Sequence, residues 1–283
     1  MTIELSVILV TYRSAPEIGA CVRSLRTAGY LTDPNVEVLI VDNNSDDDTL
    51  ALARRHAPEV RRIARRENSG FAVACNEGAQ RARGHALLFL NPDTEVEPGS
   101  LELLLQRLWS HPDIGAVGPR LRGRDGSIAP EARPLPTPLG EFARKWSRAA
   151  SLLGIRAAPR VRAPDGDVEW LCGACLMVRR STWNEVGPFD PAFFLYFEET
   201  DWCLRAARHN WRLVLEHRAA IKHTAGASAA RAGQRLRGGE VLRHLVASRR
   251  TYFRKHFGYL ASLVVEALHR SRHTYELLCG GTR

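Results

Sequence analysis

At 283 residues, 45% hydrophobic and 25% charged, the chain is an ordinary globular sequence with room for one large α/β domain with appendages or two small ones. No run approaches the roughly 18 apolar residues of a membrane-crossing helix, and Met1–Leu5 lacks the basic flank and apolar core of a secretion signal, so cytoplasmic residence is expected. The net charge of +9 points to a polyanionic partner; no zinc-finger, helix-turn-helix or RNP-like pattern accompanies the basic clusters, which sets nucleic acid aside in favour of phosphorylated small molecules or an anionic membrane face.

Leu5–Val10 is a continuous apolar run, the pattern of a strand buried on both faces of a parallel sheet. A helix follows with Ile18, Val22 and Leu25 on one face. Val36–Val41 is a second buried strand, ending on Asp42-Asn43-Asn44-Ser45-Asp46. Leu50–His56 reads as a helix, Val60–Ile63 as a short strand and Ala72–Arg83 as a helix. Ala86–Leu90 is a strand that ends on Asn91-Pro92-Asp93. Pro98 opens a helix with Leu101, Leu104, Leu105 and Leu108 at helical spacing. This alternation over the first ~115 residues predicts a doubly wound, mostly parallel sheet, in which ligands bind beyond the carboxyl ends of the strands.

Residues 122–168 are rich in Arg, Pro and Gly and read as a long loop or an irregular insertion around a helix at Leu139–Leu153. Order resumes at Val168 and Trp170 with a strand at Ala174–Val178. Further strands are expected near Leu213–Leu215 and Ala219–His223. Leu236–His269 reads as one or two helices with a basic face. Cys172 and Cys175 have C-x-x-C spacing with no second pair, and in an apolar strand they read as core filling rather than a zinc or redox pair.

Phe189–Arg205 carries three carboxylates, Glu198, Glu199 and Asp201, within four positions behind an aromatic approach. Close carboxylates repel, so a fold keeps them where a metal, a cation or a proton transfer uses them. The alternative is an acidic helix start, with Asp201 and Arg205 as an i,i+4 surface pair.

Company elsewhere in the chain bears on that choice. Val10-Thr11-Tyr12, Val41-Asp42-Asn43-Asn44-Ser45, Glu67-Asn68-Ser69-Gly70-Phe71 and Leu90-Asn91-Pro92-Asp93-Thr94 punctuate the strand ends. Gly173–Arg180, Val186–Asp190 and Phe194–Asp201 follow in order. Together they resemble family 2 glycosyltransferases, in particular the bacterial rhamnosyltransferase-like branch, from about residue 4 to residue 228.

That resemblance implies a GT-A-type fold at 1–228: a Rossmann-like nucleotide-sugar-binding half at 1–118, an insertion at 119–167 and an acceptor half at 168–228. A basic helical region at 229–283 would follow. The implied activity is inverting transfer of a sugar, rhamnose from dTDP-rhamnose by preference, to a glycan or polyprenyl-linked acceptor in cell-surface polysaccharide synthesis. Glu199 takes the place of the base, with Asp201 as its fallback. The acidic pair is Glu198-Glu199 where the family more often has Glu-Asp.

Asp93 falls on the metal-binding aspartate and His223 on a histidine that reaches metal or pyrophosphate, with Mg²⁺ or Mn²⁺ as the cofactor. Asn91 replaces the first carboxylate of the D-x-D pattern. Thr11, Tyr12, Asp42, Asn68, Gly70 and Asn76 would contact the dTDP or UDP donor. Trp170, Gly173, Glu198 and Asp201 would face the acceptor.

Arg249, Arg250, Arg254, Lys255 and His256, with Tyr259, Leu260, Leu263, Val264 and Leu268 beside them, suit peripheral contact with anionic lipid. Packing on the catalytic domain or on a second subunit of a homodimer is the alternative. A nucleotide-sugar-binding partner subunit without activity is the competing function. A dinucleotide-dependent oxidoreductase is set aside, because Thr11–Pro16 stands where its glycine-rich turn would be.

Overall fold

The computed structural model describes residues 2–123, 126, 134–145, 166–224 and 239–279. Most of the proline-rich stretch, the far end of the expected 139–153 helix and the expected boundary at 228 lie outside them.

The first half alternates as the apolar runs require: β1 (Leu5–Thr11), α1 (Ala15–Thr27), β2 (Val36–Asp42), α2 (Thr49–His56), β3 (Arg61–Ala64), α3 (Phe71–Arg81) and β4 (Ala86–Leu90). Then come β5 (Thr94–Val96), α4 (Ser100–Trp109), β6 (Ile114–Arg122), α5 (Pro138–Lys145), β7 (Asp167–Val168) and β8 (Cys175–Arg179). The chain continues with α6 (Arg180–Val186), α7 (Glu198–Arg208), β9 (Arg212–His223) and α8 (Gly239–Cys279).

All nine strands belong to one sheet, in the order β3-β2-β1-β4-β8-β6-β9-β5, with β7 also on β9. β1, β2, β3, β4, β6 and β9 run one way; β5, β7 and β8 run the other. The two strands expected at 213–223 are one strand, which pairs with β6 across two register shifts. The strand expected from Ala174 starts at Cys175, so Cys172 lies in the loop before it and only Cys175 is core.

Alternation along β1 explains the layers. Leu5, Val7 and Leu9 pack with Ile18, Leu25, Leu101 and Leu104 on one face. Ile8 and Val10 pack with Ala72, Phe89, Trp183 and Trp202 on the other. Every residue of β1 is buried, as a central strand covered by helices on both faces must be.

β2 and β4 lie on opposite sides of β1, so the winding reverses there, and a crevice opens beyond their carboxyl ends. The β1–β2 register pairs Thr11 with Asp42, and the strand ends deliver Tyr12, Asn43 and Asn91 to that crevice.

α8 is two helical arms joined at Gly258, whose φ of 87° is a left-handed conformation that glycine adopts without steric cost. The arms fold back on each other: Arg249 bonds Glu266 at 3.0 Å, and Ser262 Oγ donates to the carbonyl of Arg250. Tyr252, Phe253 and Val265 form a small core with Phe193.

Candidate active site

A cavity of about 330 Å³ occupies the crevice. Its walls include Tyr12, Asn68, Gly70, Asp93, Gly173, Glu198, Glu199 and His223, residues expected there from sequence.

Five other expected residues, Thr11, Asp42, Asn76, Trp170 and Asp201, do not line it. Asp42 is buried with its carboxylate committed: it accepts from Thr11 Oγ1 at 2.9 Å, Ser45 Oγ at 2.6 Å and Ser45 N at 2.9 Å. Thr11 and Asp42 thus stabilise the turn after β2 and do not line the cavity, in contrast to the nucleotide contact expected of them. Asn76 spends both ends of its amide on Phe189, donating to its carbonyl at 2.7 Å and accepting from its N–H at 3.0 Å. Its expected donor contact is likewise corrected to a strut. Trp170 is buried, donates from Nε1 to Thr200 Oγ1 at 3.0 Å and also bonds the Glu199 carboxylate, so it braces the acidic helix and does not itself line the cavity.

Gly70 differs from expectation in what approaches it. With φ 95°, an added Cβ would lie 2.6 Å from the carbonyl oxygen of Phe194. Phe71 N donates to that same oxygen at 2.7 Å. The glycine therefore clamps the aromatic loop onto the start of α3. Asn68 Oδ1 accepts from Gly70 N and from Asn43 Nδ2, which holds this turn in shape.

The clamped loop then turns through two consecutive left-handed residues, Tyr196 (φ 68°) and Phe197 (φ 70°). Bulky side chains avoid this region, so the surrounding packing holds a local strain. The turn starts α7 with Glu198 and Glu199 on the cavity wall. One oxygen of each, Oε2, is buried without a hydrogen-bond partner.

Burial pushes both carboxyls up. Glu198 goes well above the usual range, with the neighbouring Glu199 charge adding to burial. Glu199 rises too, but hydrogen bonds from its own and Thr200's backbone and from the Trp170 and Thr200 side chains oppose that rise. Glu198, pushed up further and less opposed by hydrogen bonds, is the better holder of a proton of the two. Gly173 packs at Glu199: an added Cβ would lie 3.5 Å from Glu199 Cβ and Cγ, in van der Waals contact with the carboxylate's stem.

On the opposite wall, the β5–β9 register pairs Thr94 with His223 and so brings His223 to Asp93. Their Nε2 and Oδ1 atoms are 3.4 Å apart. Asp93 Oδ1 and Asn91 Oδ1 are both buried without a hydrogen-bond partner. Such an orphaned carboxylate oxygen beside an imidazole suits a hard divalent cation that brings further ligands of its own. Among the described residues, no set of three His, Cys, Asp or Glu side chains is placed to hold a metal without such help.

Sequence reasoning missed Glu240, Val241 and His244, which the first arm of α8 brings to the cavity. His244 stacks on Phe194 with ring centres 4.3 Å apart and planes at 16°. No local pattern marks them, because only the fold-back of α8 places them. The described lining contains Asp93, Glu198, Glu199 and Glu240 but neither Lys nor Arg, although the whole chain is basic.

Asp201 is fully buried and does not line the cavity. It receives Arg205 Nε at 2.8 Å, Lys255 Nζ at 2.7 Å and His256 Nε2 at 2.8 Å. The expected acceptor contact is corrected to a bolt between α7 and α8, and the i,i+4 pair with Arg205 is a buried one. This also corrects the expected basic face. Lys255 and His256 turn inward to Asp201, Lys255 also meets Asp190 at 2.6 Å, and Arg249 is spent on Glu266.

The model of the family described as glycosyl transferase family 2 matches residues 6–184. An N-acetylglucosaminyl-diphospho-decaprenol L-rhamnosyltransferase of Mycobacterium tuberculosis is 33% identical over 242 residues, covering 79% of this chain and 76% of its own. A low-salt glycan biosynthesis hexosyltransferase of Haloferax volcanii is 26% identical over 211 residues, covering 73% and 62% respectively. Mannosyltransferase PcManGT of Pyrobaculum calidifontis, solved with GDP-Man and Mn²⁺, has a TM-score of 0.57 at 16% identity over 99% of this chain and 80% of its own. S. aureus TarS with UDP has a TM-score of 0.55 at 18% identity, over 87% and 65%. The architecture is that of the GT-A glycosyltransferases.

Proposed function

The chain belongs to glycosyl transferase family 2, and we propose that it transfers a sugar, rhamnose from dTDP-rhamnose in particular, to a hydroxyl of a glycan carried on a polyprenyl lipid, with inversion at the anomeric carbon. One observation carries this reading. Asp93 and Glu199, far apart in the chain, line one cavity, and each keeps a buried oxygen with no hydrogen-bond partner. The named activity of the mycobacterial relative supports the rhamnosyl donor and the lipid-linked acceptor.

Each wall then has a task. Tyr12 offers a ring at the nucleotide end, and Asn68 and Gly70 shape the floor beside it. Asp93 and His223 would hold a divalent cation, Mg²⁺ or Mn²⁺, whose chemistry is to neutralise the diphosphate leaving group. The cation-bearing neighbours support that assignment.

Glu199 accepts the proton of the acceptor hydroxyl as that oxygen bonds to the anomeric carbon. The bond from that carbon to the diphosphate oxygen breaks on the opposite face, and its electrons leave with the diphosphate. Glu198 keeps its proton and so avoids a second buried charge beside the working base. A raised value for Glu199 places the base nearer neutrality, where it takes a hydroxyl proton more readily.

The test is transfer from a panel of nucleotide sugars to a soluble analogue of a prenyl-diphosphate glycan, with titration calorimetry of dTDP and UDP in the presence and absence of Mn²⁺. Cation-dependent binding of dTDP with rhamnosyl transfer is the expected result. Nucleotide binding without transfer to any acceptor would favour a non-catalytic partner subunit.

A further inference from the structure

The tip of the α8 hairpin is exposed, with no partner for its apolar side chains among the described residues. Eight large apolar side chains are exposed among the described residues, and five of them, Phe257, Tyr259, Leu260, Leu263 and Val264, fall within 257–264 around Gly258. Leu260 is 77% exposed and Tyr259 63%. On the second arm Leu260, Leu263 and Val264 follow helical spacing, so they present one apolar face, while Ser262, Val265 and Glu266 face inward.

The first arm supplies charge behind this tip. Arg250, Arg254 and Phe257 share its exposed face. Among the described residues neither arginine has an ion-pair partner, unlike Arg249, Lys255 and His256, which bind carboxylates inside the molecule. At 1.5 Å per residue, Arg254 and Arg250 lie about 6 and 12 Å back from Gly258 along the arm. That spacing matches a tip immersed about 5–10 Å in a headgroup layer with its cations at phosphate level.

We propose that the α8 hairpin is a membrane-docking element: its tip inserts Tyr259, Leu260, Leu263 and Val264 into the surface of a bilayer, and Arg250 and Arg254 bind anionic lipid headgroups. The charge beside the apolar tip selects an anionic surface over a neutral one or a second copy of the chain. No helix of the described residues is long and apolar enough to cross the bilayer, so the contact is peripheral. The same arm carries Glu240, Val241 and His244 on the cavity wall, about 21–27 Å from the tip by the helical rise. The hairpin thus ties the cavity to the bilayer at a set height. For its purpose the proposal rests on the reading of a lipid-linked acceptor, while its test needs no sugar transfer.

The full chain is sedimented with vesicles of phosphatidylcholine, with and without phosphatidylglycerol. Binding to the anionic vesicles that weakens with added salt is expected. Arg250→Gln with Arg254→Gln should lower partitioning about thirtyfold, from the usual worth of a cation at an anionic surface. Leu260→Ser with Leu263→Ser should lower it by about tenfold or more. Circular dichroism of each variant checks that the fold is intact, as expected for substitutions at exposed positions.

Equal binding to both vesicle types, no binding, or variants that bind like the parent would overturn the proposal. So would a concentration-dependent dimer that the leucine variants dissolve while vesicles are ignored; the face would then be a subunit contact. Failure of transfer to a soluble acceptor alongside vesicle binding would overturn the catalytic reading and leave this one standing.

Discussion

Asp201 Oδ1 and His256 Nε2 lie 2.8 Å apart across 55 positions of chain, both side chains almost wholly out of water. Arg208 Nη1 stands 3.1 Å from the other ring nitrogen, Nδ1. This arrangement assigns the neutral tautomer, with Nε2–H donating to the carboxylate and Nδ1 accepting from the guanidinium. Burial holds the ring below its ordinary value, with Arg208 and Lys255 adding to the effect.

Because the folded ring binds protons less readily than the unfolded one, its contribution is present above the free-imidazole value of about 6.5 and is lost as pH falls below it. Urea melts over that range should show a steeper acid loss for the parent than for His256→Gln. Asp201→Ala leaves Arg205 without its carboxylate, Lys255 with Asp190 alone and the buried His256 N–H without an acceptor, and should cost about 3 kcal/mol.

Glu199→Gln removes the proton acceptor while keeping shape. Transfer should fall about 10²–10⁴-fold, with donor affinity by calorimetry nearly unchanged. A parallel loss of donor binding would move Glu199 from base to ligand-holding residue.

Glu198→Gln tests the proton on Glu198. A carboxyl that already holds its proton loses no charge to an isosteric amide, so the acid limb of the rate profile should stay where the parent has it. A shift of that limb to lower pH would show that Glu198 is charged beside the base and remove it from this role.

Asp93→Asn keeps an oxygen but loses the charge that a cation needs. Mn²⁺-dependent nucleotide binding should drop about tenfold or more, and His223→Ala should lower it less, because imidazole is the poorer partner for a hard cation.

Gly70→Ala pushes a methyl into the Phe194 carbonyl at a left-handed position. The aromatic loop must shift, and about 1 Å of displacement at the acidic pair would reduce turnover roughly 10²-fold. Thermal melts of the variant separate this displacement from global unfolding.

Sequence alone determined the strand-and-helix order. Runs such as Leu5–Val10 and Ala86–Leu90 are apolar at every position but Ser6, and only a sheet covered on both faces satisfies them. It also marked the strand ends as the chemical edge and named Asp93, Glu199 and His223. Tertiary structure decided which polar groups remain free for a ligand. Asp42, Asn76, Trp170 and Asp201 read in sequence much like Asp93 and Glu199, yet each is consumed by partners up to 113 positions away. A polar side chain carries no local record of whether its hydrogen bonds will be met; long-range packing supplies or withholds the partner. The same packing turned Lys255 and His256 inward and brought Glu240 and His244 to the cavity, a placement that helical periodicity cannot encode.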